Sequence, residues 1–134
     1  MLSWRVRILP FIEQGNLYNQ FNFDEPWDSP HNLSLLPLMP RLFSTPGVAN
    51  GLTVFQGPHG DNTFLSNTNQ GTRFSQFPSQ DTAAILEVAP EHAIEWTRPD
   101  DFAFDAATLR SFVDNADENG FYFSLIDGLS LIHI

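Results

Sequence analysis

Proline and glycine recur along this chain and limit the length of any regular element it can form. Ten prolines and eight glycines are spread over the 134 residues. Proline inside a helix removes a backbone hydrogen bond, and glycine loses more backbone entropy than other residues on ordering. The sequence therefore predicts short helices, short strands and a large share of connecting segments.

The charge balance argues against two classes of partner. Sixteen acidic and six basic residues give a formal net charge of −10. A nucleic acid and an anionic membrane surface would both repel such a chain, so neither is an expected partner. The absence of cysteine excludes disulfides and thiol chemistry. The sequence shows neither an apolar run long enough to cross a bilayer nor a signal-peptide pattern.

Apolar spacing and capping residues predict three helices. A helix over residues 9–21 would carry its apolar side chains on one face. Ser29 is a suitable N-cap for a second helix over residues 30–36, and Asp105 for a third over residues 106–113. The polar segment 57–80 is predicted to run over a sheet and to present a binding surface.

Short apolar or alternating runs predict strands over residues 42–43, 53–55, 83–88, 94–96 and 121–126. Residues 83–88 are the best candidate for a central strand, and residues 94–96 are expected to pair beside it. Asp127–Gly128 favours a hairpin that folds the following residues back onto the last strand. Because helices and strands do not alternate regularly, we predict an α+β domain with an antiparallel sheet.

Arginines and tryptophans near the N-terminus allow a structural and a functional interpretation. Alternation would place Arg5 and Arg7 on one face, either as an anion-contact site or as partners of the acidic pair 24–25 or of other acidic groups. Trp4 and Trp27 would either form a platform for sugars or pack as anchors with bonded indole N–H groups.

Two carboxylates on predicted strands suggest a hydrolase as an alternative function. Glycoside hydrolases use a pair of acidic residues, and Glu87 and Glu95 are the candidates here. A carbohydrate-binding module or weak glycoside hydrolase would combine them with an exposed tryptophan such as Trp96. In the structural alternative, Glu87 pairs with Arg98 or Arg5.

Oxygen-bearing side chains cluster before the last predicted strand. Calcium takes six to eight oxygen ligands, and the candidates are Asp114, Asn115, Asp117 and Glu118. A calcium-stabilised binding domain is therefore a further hypothesis, and a solvated turn is its alternative. No other cofactor is predicted, because the four histidines lack zinc-binding spacing and neither a phosphate loop nor a G-x-G-x-x-G motif occurs. The sequence also lacks the G-x-S-x-G motif of a serine nucleophile.

Three stretches of the chain resemble the planctomycete-type prepilin-like family of exported proteins, which are similar to type II secretion pseudopilins. They are LSWRVRILPFIEQGNLYNQFNFDEPWDSPHN at residues 2–32, WTRPDDFAFD at residues 96–105, and Asp127–Gly128. The last stretch belongs to the family's C-terminal H-x9-DG signature. The motif positions are Trp4, Arg5, Pro10, Glu13, Trp27, Asp28, Trp96, Arg98, Pro99, Asp117, Asp127 and Gly128.

The resemblance implies a pilin-like antiparallel sheet with short helices, and a long N-terminal helix that is missing from these residues. It also implies a non-enzymatic, exported protein of the cell envelope or surface. Its partners would be other envelope or pilus-like proteins or a polysaccharide, and it would meet the membrane only through the missing helix. Asp117 stands where the signature has histidine, which puts that residue's role in doubt.

The expected organisation is one pseudopilin-like globular domain over residues 1–128, a fragment of a longer protein. Residues 129–134, LSLIHI, match the in-frame translation of a common sequencing adapter. We therefore expect read-through instead of native sequence there, although the segment alternates like a strand.

Overall fold

The computed structural model describes residues 1–59, 83–103, 121–125 and 130–133. The chain divides into two compact units. The first unit comprises Met1–Thr53 and Ala93–Asp100, and the second comprises Val54–His92 and Asp101–Ile134. Several predicted features lie outside the described residues: most of the polar segment 57–80, the helix after Asp105, the calcium-candidate turn, Asp117 and Asp127–Gly128.

Short helical turns form most of the first unit. Its α-helices are α1 (Trp4–Arg7), α2 (Gly15–Tyr18) and α3 (Pro30–Leu33). Turns of 3-10 helix cover Leu9–Ile12, Leu36–Leu38 and Arg41–Phe43. No helix in the described part of the chain has the length and hydropathy to cross a bilayer. The frequent prolines and glycines thus correspond to elements of about one turn each.

The continuous helix predicted over residues 9–21 is wrong. The 3-10 turn ends at Ile12, the next residue Glu13 has a φ of 62° in the left-handed region, and α2 begins only at Gly15. A left-handed residue redirects the chain, so one helix cannot pass through it. The apolar spacing still marks the interior correctly, because Leu9, Leu17 and Phe21 are all buried.

The prediction for the next helix is confirmed at its start. The Ser29 side chain accepts a hydrogen bond from the backbone N–H of Asn32 at 3.1 Å, as an N-cap does. The helix ends at Leu33, earlier than predicted. The strand predicted at residues 42–43 is wrong, because the N–H of Phe43 donates to the carbonyl of Pro40 at 3.0 Å and closes a turn.

A two-stranded antiparallel sheet belongs to the first unit. Strand β1 (Leu52–Thr53) pairs with β4 (Ile94–Glu95). The prediction that residues 94–96 pair beside residues 83–88 is therefore wrong. The strand predicted at residues 53–55 is divided, because its two ends enter β1 and a separate strand.

A four-stranded antiparallel sheet belongs to the second unit, with strand order β2-β3-β5-β6. These strands are β2 (Phe55–Gln56), β3 (Ala83–Glu87), β5 (Phe121–Leu125) and β6 (Ser130–His133). The internal position of β3 confirms the prediction of a central strand there. Together, the short helices and the antiparallel sheets confirm the predicted α+β class.

The strands of the predicted C-terminal hairpin are present. Strands β5 and β6 pair antiparallel, from Phe121 opposite His133 to Ser124 opposite Ser130. Residues 126–129, which connect them, lie outside the described part of the chain. That residues 129–134 are not native stays a prediction, since an alternating segment of any origin can occupy an edge strand.

The core of the first unit is built around one aromatic side chain. Trp96 is 0% exposed. Its ring meets that of Phe21 edge-on at 5.7 Å and stacks on that of Phe43 at 6.0 Å, both measured between centroids. The other buried members of this cluster are Leu2, Val6, Leu9, Leu17 and Leu35. The turns that follow one another along the chain thus close around a residue from its later part.

Candidate functional site

Two of the sequence stretches that carry the family resemblance meet in the first unit. The Ser3 hydroxyl donates to the carbonyl of Trp96 at 2.8 Å, across 93 sequence positions. The backbone N–H of Ser3 donates to the carbonyl of Thr97 at 3.0 Å. The guanidinium of Arg5 donates to the carbonyl of Arg98 at 3.5 Å. We call this contact the motif junction, formed by Ser3, Trp4, Arg5, Trp96, Thr97 and Arg98.

The two arginines of α1 have different environments. Arg5 is 0% exposed, whereas Arg7 is exposed. The prediction that they share one face is wrong, because the segment is a helix, in which residues two positions apart point in nearly opposite directions. The guanidinium carbon of Arg5 lies 4.7 Å from the ring centroid of Trp4, a cation–π contact. Arg5 is therefore a buried residue of the motif junction, where it contacts Trp4 and Arg98.

The tryptophans act as packing anchors. The indole N–H of Trp96 donates to the carbonyl of Leu36 at 3.1 Å. Trp4 and Trp27 are half-buried and pack against the core, and the ring of Trp4 meets that of Phe43 edge-on at 6.3 Å. These contacts favour the anchor interpretation, because a sugar platform needs a broad exposed ring face.

The two candidate catalytic carboxylates lie in different sheets. Glu95 is in β4 and forms an ion pair with Arg98 at 3.9 Å, in which both side chains are partly exposed, at 36% and 42%. Glu87 is in β3, where it stands opposite Phe55 of β2. Arg98 thus forms an ion pair with Glu95, its neighbour three positions earlier in the sequence.

The remaining described motif positions shape turns. Pro10 lies in the first turn of the 3-10 helix Leu9–Ile12, and Glu13 follows that helix in the left-handed conformation. Asp28 is exposed, and Pro99 is half-buried.

In the described parts of the chain, no group of three or more His, Asp or Glu side chains is placed to hold a metal ion.

Asn32 holds the loop that carries Trp27 and Asp28, a role that sequence analysis missed. The Asn32 side chain is 0% exposed and has three hydrogen bonds. Its oxygen accepts from the N–H of Asn22 at 3.0 Å, and its NH2 donates to the carbonyls of Asn22 at 3.0 Å and Pro26 at 2.9 Å. The only sequence signal is an asparagine, a poor helix former, inside a short helix.

A basic and aromatic patch, formed by Arg7, Tyr18 and Phe23, lies in the same unit. The guanidinium carbon of Arg7 is 4.8 Å from the ring centroid of Phe23, which is 4.7 Å from that of Tyr18. The expected ion pair between Arg7 and residues 24–25 is not formed. The Glu25 carboxylate accepts a hydrogen bond from the side-chain NH2 of Asn22 at 2.8 Å instead. Among the described residues, Arg7 has no ion-pair partner.

One protein family is similar to part of this chain. The family described as a protein of unknown function, DUF1559, matches residues 1–59. The match includes α1, α2 and α3 but not the segment 93–100, which supplies Trp96. Searches of curated proteins and of solved structures found no match. The similarity supports a relationship over the N-terminal segment and carries no activity with it.

Replacing Ser3 with alanine tests the motif junction directly. The change removes the N-cap acceptor of α1 and the bond to Trp96, and Ser3 is almost fully buried. We expect the free energy of unfolding to fall by about 1–2 kcal/mol, the usual cost of losing a capping hydroxyl. Denaturant titration measures it. Ser34→Ala is the matched control, because that exposed hydroxyl bonds only locally, to the His31 carbonyl. Equal losses of unfolding free energy in Ser3→Ala and Ser34→Ala would contradict a stabilising role of Ser3 in the motif junction.

Proposed function

We propose that this protein is a non-enzymatic, prepilin- or pseudopilin-like component of the cell envelope, with a structural or surface-binding role. The observation that carries the proposal is the motif junction. Its residues come from two stretches that resemble the prepilin-like family, and their hydrogen bonds and rings hold the first unit together. Residues engaged in this way build a scaffold, which is the role that the proposal assigns to them.

Two further observations support the proposal. The match of residues 1–59 to a family of unknown function agrees with the longest stretch of the resemblance. In the second unit, strands β2, β3 and β5 lie outside residues 129–134, and the antiparallel sheet that they form is the kind of element that the resemblance implies. By the same resemblance, Asp127–Gly128 belongs to the C-terminal signature, with Asp117 in place of its histidine.

The resemblance also suggests location and partners. An exported protein would meet other envelope or pilus-like proteins, or a polysaccharide, at its outer surface. The basic and aromatic patch supports such a contact, because a guanidinium stacked on a ring still directs N–H groups outward. Membrane attachment would depend on the apolar N-terminal helix of the family.

The gene and its full-length product provide the test. Long-read sequencing through both ends is expected to show an upstream apolar helix with a prepilin-peptidase site, and a native strand in place of residues 129–134. Fractionation of cells is expected to place the product in the envelope. A gene that encodes only these residues, with a product that stays in the cytosol, would overturn the proposal.

Assays on a polysaccharide panel distinguish this proposal from the hydrolase alternative. The wild-type protein, Glu87→Gln and Glu95→Gln are expected to show the same background of released reducing ends. Glu95→Gln should remain folded, since an exposed ion pair contributes at most about 1 kcal/mol after solvent screening. Hydrolysis by the wild-type protein that is lost in either variant would contradict the non-enzymatic proposal.

A further inference from the structure

We propose that Asn50 is a site of spontaneous deamidation, at the turn that leads into β1. The Asn50 side chain is exposed, and the next residue is Gly51. Glycine carries no side chain to shield its backbone nitrogen from a neighbouring carbonyl carbon. Gly51 also has a φ of +89°, which other residues rarely adopt, so the turn itself requires glycine at this position.

The reaction needs only water. The backbone nitrogen of Gly51, after losing its proton to solvent base, attacks the side-chain carbonyl carbon of Asn50. The bond from that carbon to Nδ2 breaks, and ammonia leaves with a proton from solvent, so that a cyclic imide remains. One water molecule then opens the imide at either carbonyl and gives aspartate or isoaspartate. The net change is one water consumed and one ammonia released, with no oxidation or reduction.

The local hydrogen bonds leave the attacking nitrogen available. Among the described backbone bonds, the N–H of Gly51 has no acceptor, whereas the next N–H, of Leu52, donates to Ala49 at 3.1 Å. One bond opposes the reaction, because the Asn50 amide donates to the carbonyl of Pro37 at 3.1 Å, at an exposed position. Gly51 is buried, so we expect the folded turn to react more slowly than the unfolded chain.

The products would weaken the first unit. A carboxylate at position 50 cannot donate to the Pro37 carbonyl and places negative charge beside it. Isoaspartate also lengthens the main chain by one atom, directly before β1. The adjoining carbonyl of Gly51 accepts the N–H of Trp96 at 3.0 Å, and Leu52 stands opposite Glu95. Deamidation would therefore disturb the pairing that seats the central tryptophan, and the protein would lose stability with age.

The test is incubation of the intact protein at mildly alkaline pH, followed by peptide mass spectrometry. We expect conversion at Asn50 to exceed that at the exposed Asn19 by at least about tenfold, equal to about 1.4 kcal/mol in activation free energy. Asn19 is followed by glutamine, so it reports the background rate. Denaturation of the protein is expected to accelerate conversion at Asn50. Equal rates at Asn50 and Asn19 would overturn the proposal.

Asn50→Gln is the matched variant, because glutamine keeps the amide but would have to form a larger, slower ring. Aged wild-type protein is expected to melt at a lower temperature than fresh protein, whereas the aged variant keeps its melting temperature. A second Asn–Gly pair, Asn119–Gly120, serves as a chemical reference in the same digest. Conversion at Asn119 with none at Asn50, or an equal loss of melting temperature in the variant, would also overturn the proposal.

Discussion

Trp96→Ala is expected to lower the free energy of unfolding by about 3–5 kcal/mol, the range for removing a large aromatic side chain from a core. Trp96 is fully buried, and the rings of Phe21 and Phe43 both rest on it. Removing it would leave a cavity between turns that are each too short to persist alone. The Leu36 carbonyl would also lose its indole donor.

Chemical denaturation and hydrogen exchange together measure this effect. Exchange is expected to rise first in the turns of the first unit, and denaturation still has a fluorescence signal from Trp4 and Trp27. Trp96→Phe is the matched control, because it keeps an aromatic ring while losing the hydrogen bond and leaving a smaller void, for a loss of about 1–3 kcal/mol. An alanine variant as stable as the phenylalanine variant would show that Trp96 is not the centre of the core.

Asn32→Asp is expected to lower the free energy of unfolding by nearly as much as Trp96→Ala, although it changes only one group of the side chain. The NH2 that donates to the carbonyls of Asn22 and Pro26 becomes an oxygen with no proton to donate. A buried charge without a compensating partner costs about 3–5 kcal/mol. The loop that carries Trp27 and Asp28 is therefore expected to open, with a corresponding fall in the free energy of unfolding.

Asn19→Asp provides the control, since it makes the same charge change at an exposed position. Denaturant titrations of both variants at several pH values give the comparison. Burial raises the pKa of the introduced carboxyl group in Asn32→Asp above its value in the unfolded chain. The penalty should therefore be full at neutral pH and shrink on acidification through that raised pKa, as the group becomes neutral. A loss no larger than that of Asn19→Asp would contradict the role of Asn32.

Features with a local physical cause could be predicted from the sequence. The Ser29 cap depends on residues within one turn of it, and strands β3 and β5 are short runs of apolar residues that suit a sheet. The α+β class follows from such elements together with the irregular order of helices and strands. The anchor role of Trp4 and Trp27 was one of two interpretations, and their packing against the core favours it.

Features with a distant partner could not be predicted. Strand β4 pairs with β1 and not with β3. Which strands become neighbours depends on how the whole chain folds, and the residues of β4 alone do not indicate it. The different environments of Arg5 and Arg7 follow from a helix where alternation suggested a strand. Asn32 was missed because its bonds reach back to Asn22 and Pro26, and a single asparagine in the sequence does not indicate its acceptors.

The separation of the two halves of the motif junction also determines when the first unit can form during synthesis. Chains emerge from the ribosome N-terminal end first, and contacts between distant residues form late. Residues 1–53 therefore cannot complete the first unit until residues 93–100 have been synthesised. Until then β1 has no paired strand, and Phe21 and Phe43 lack their contact with the ring of Trp96. The segment that matches the family of unknown function, residues 1–59, is on this account a stretch of shared sequence and not an autonomous folding unit.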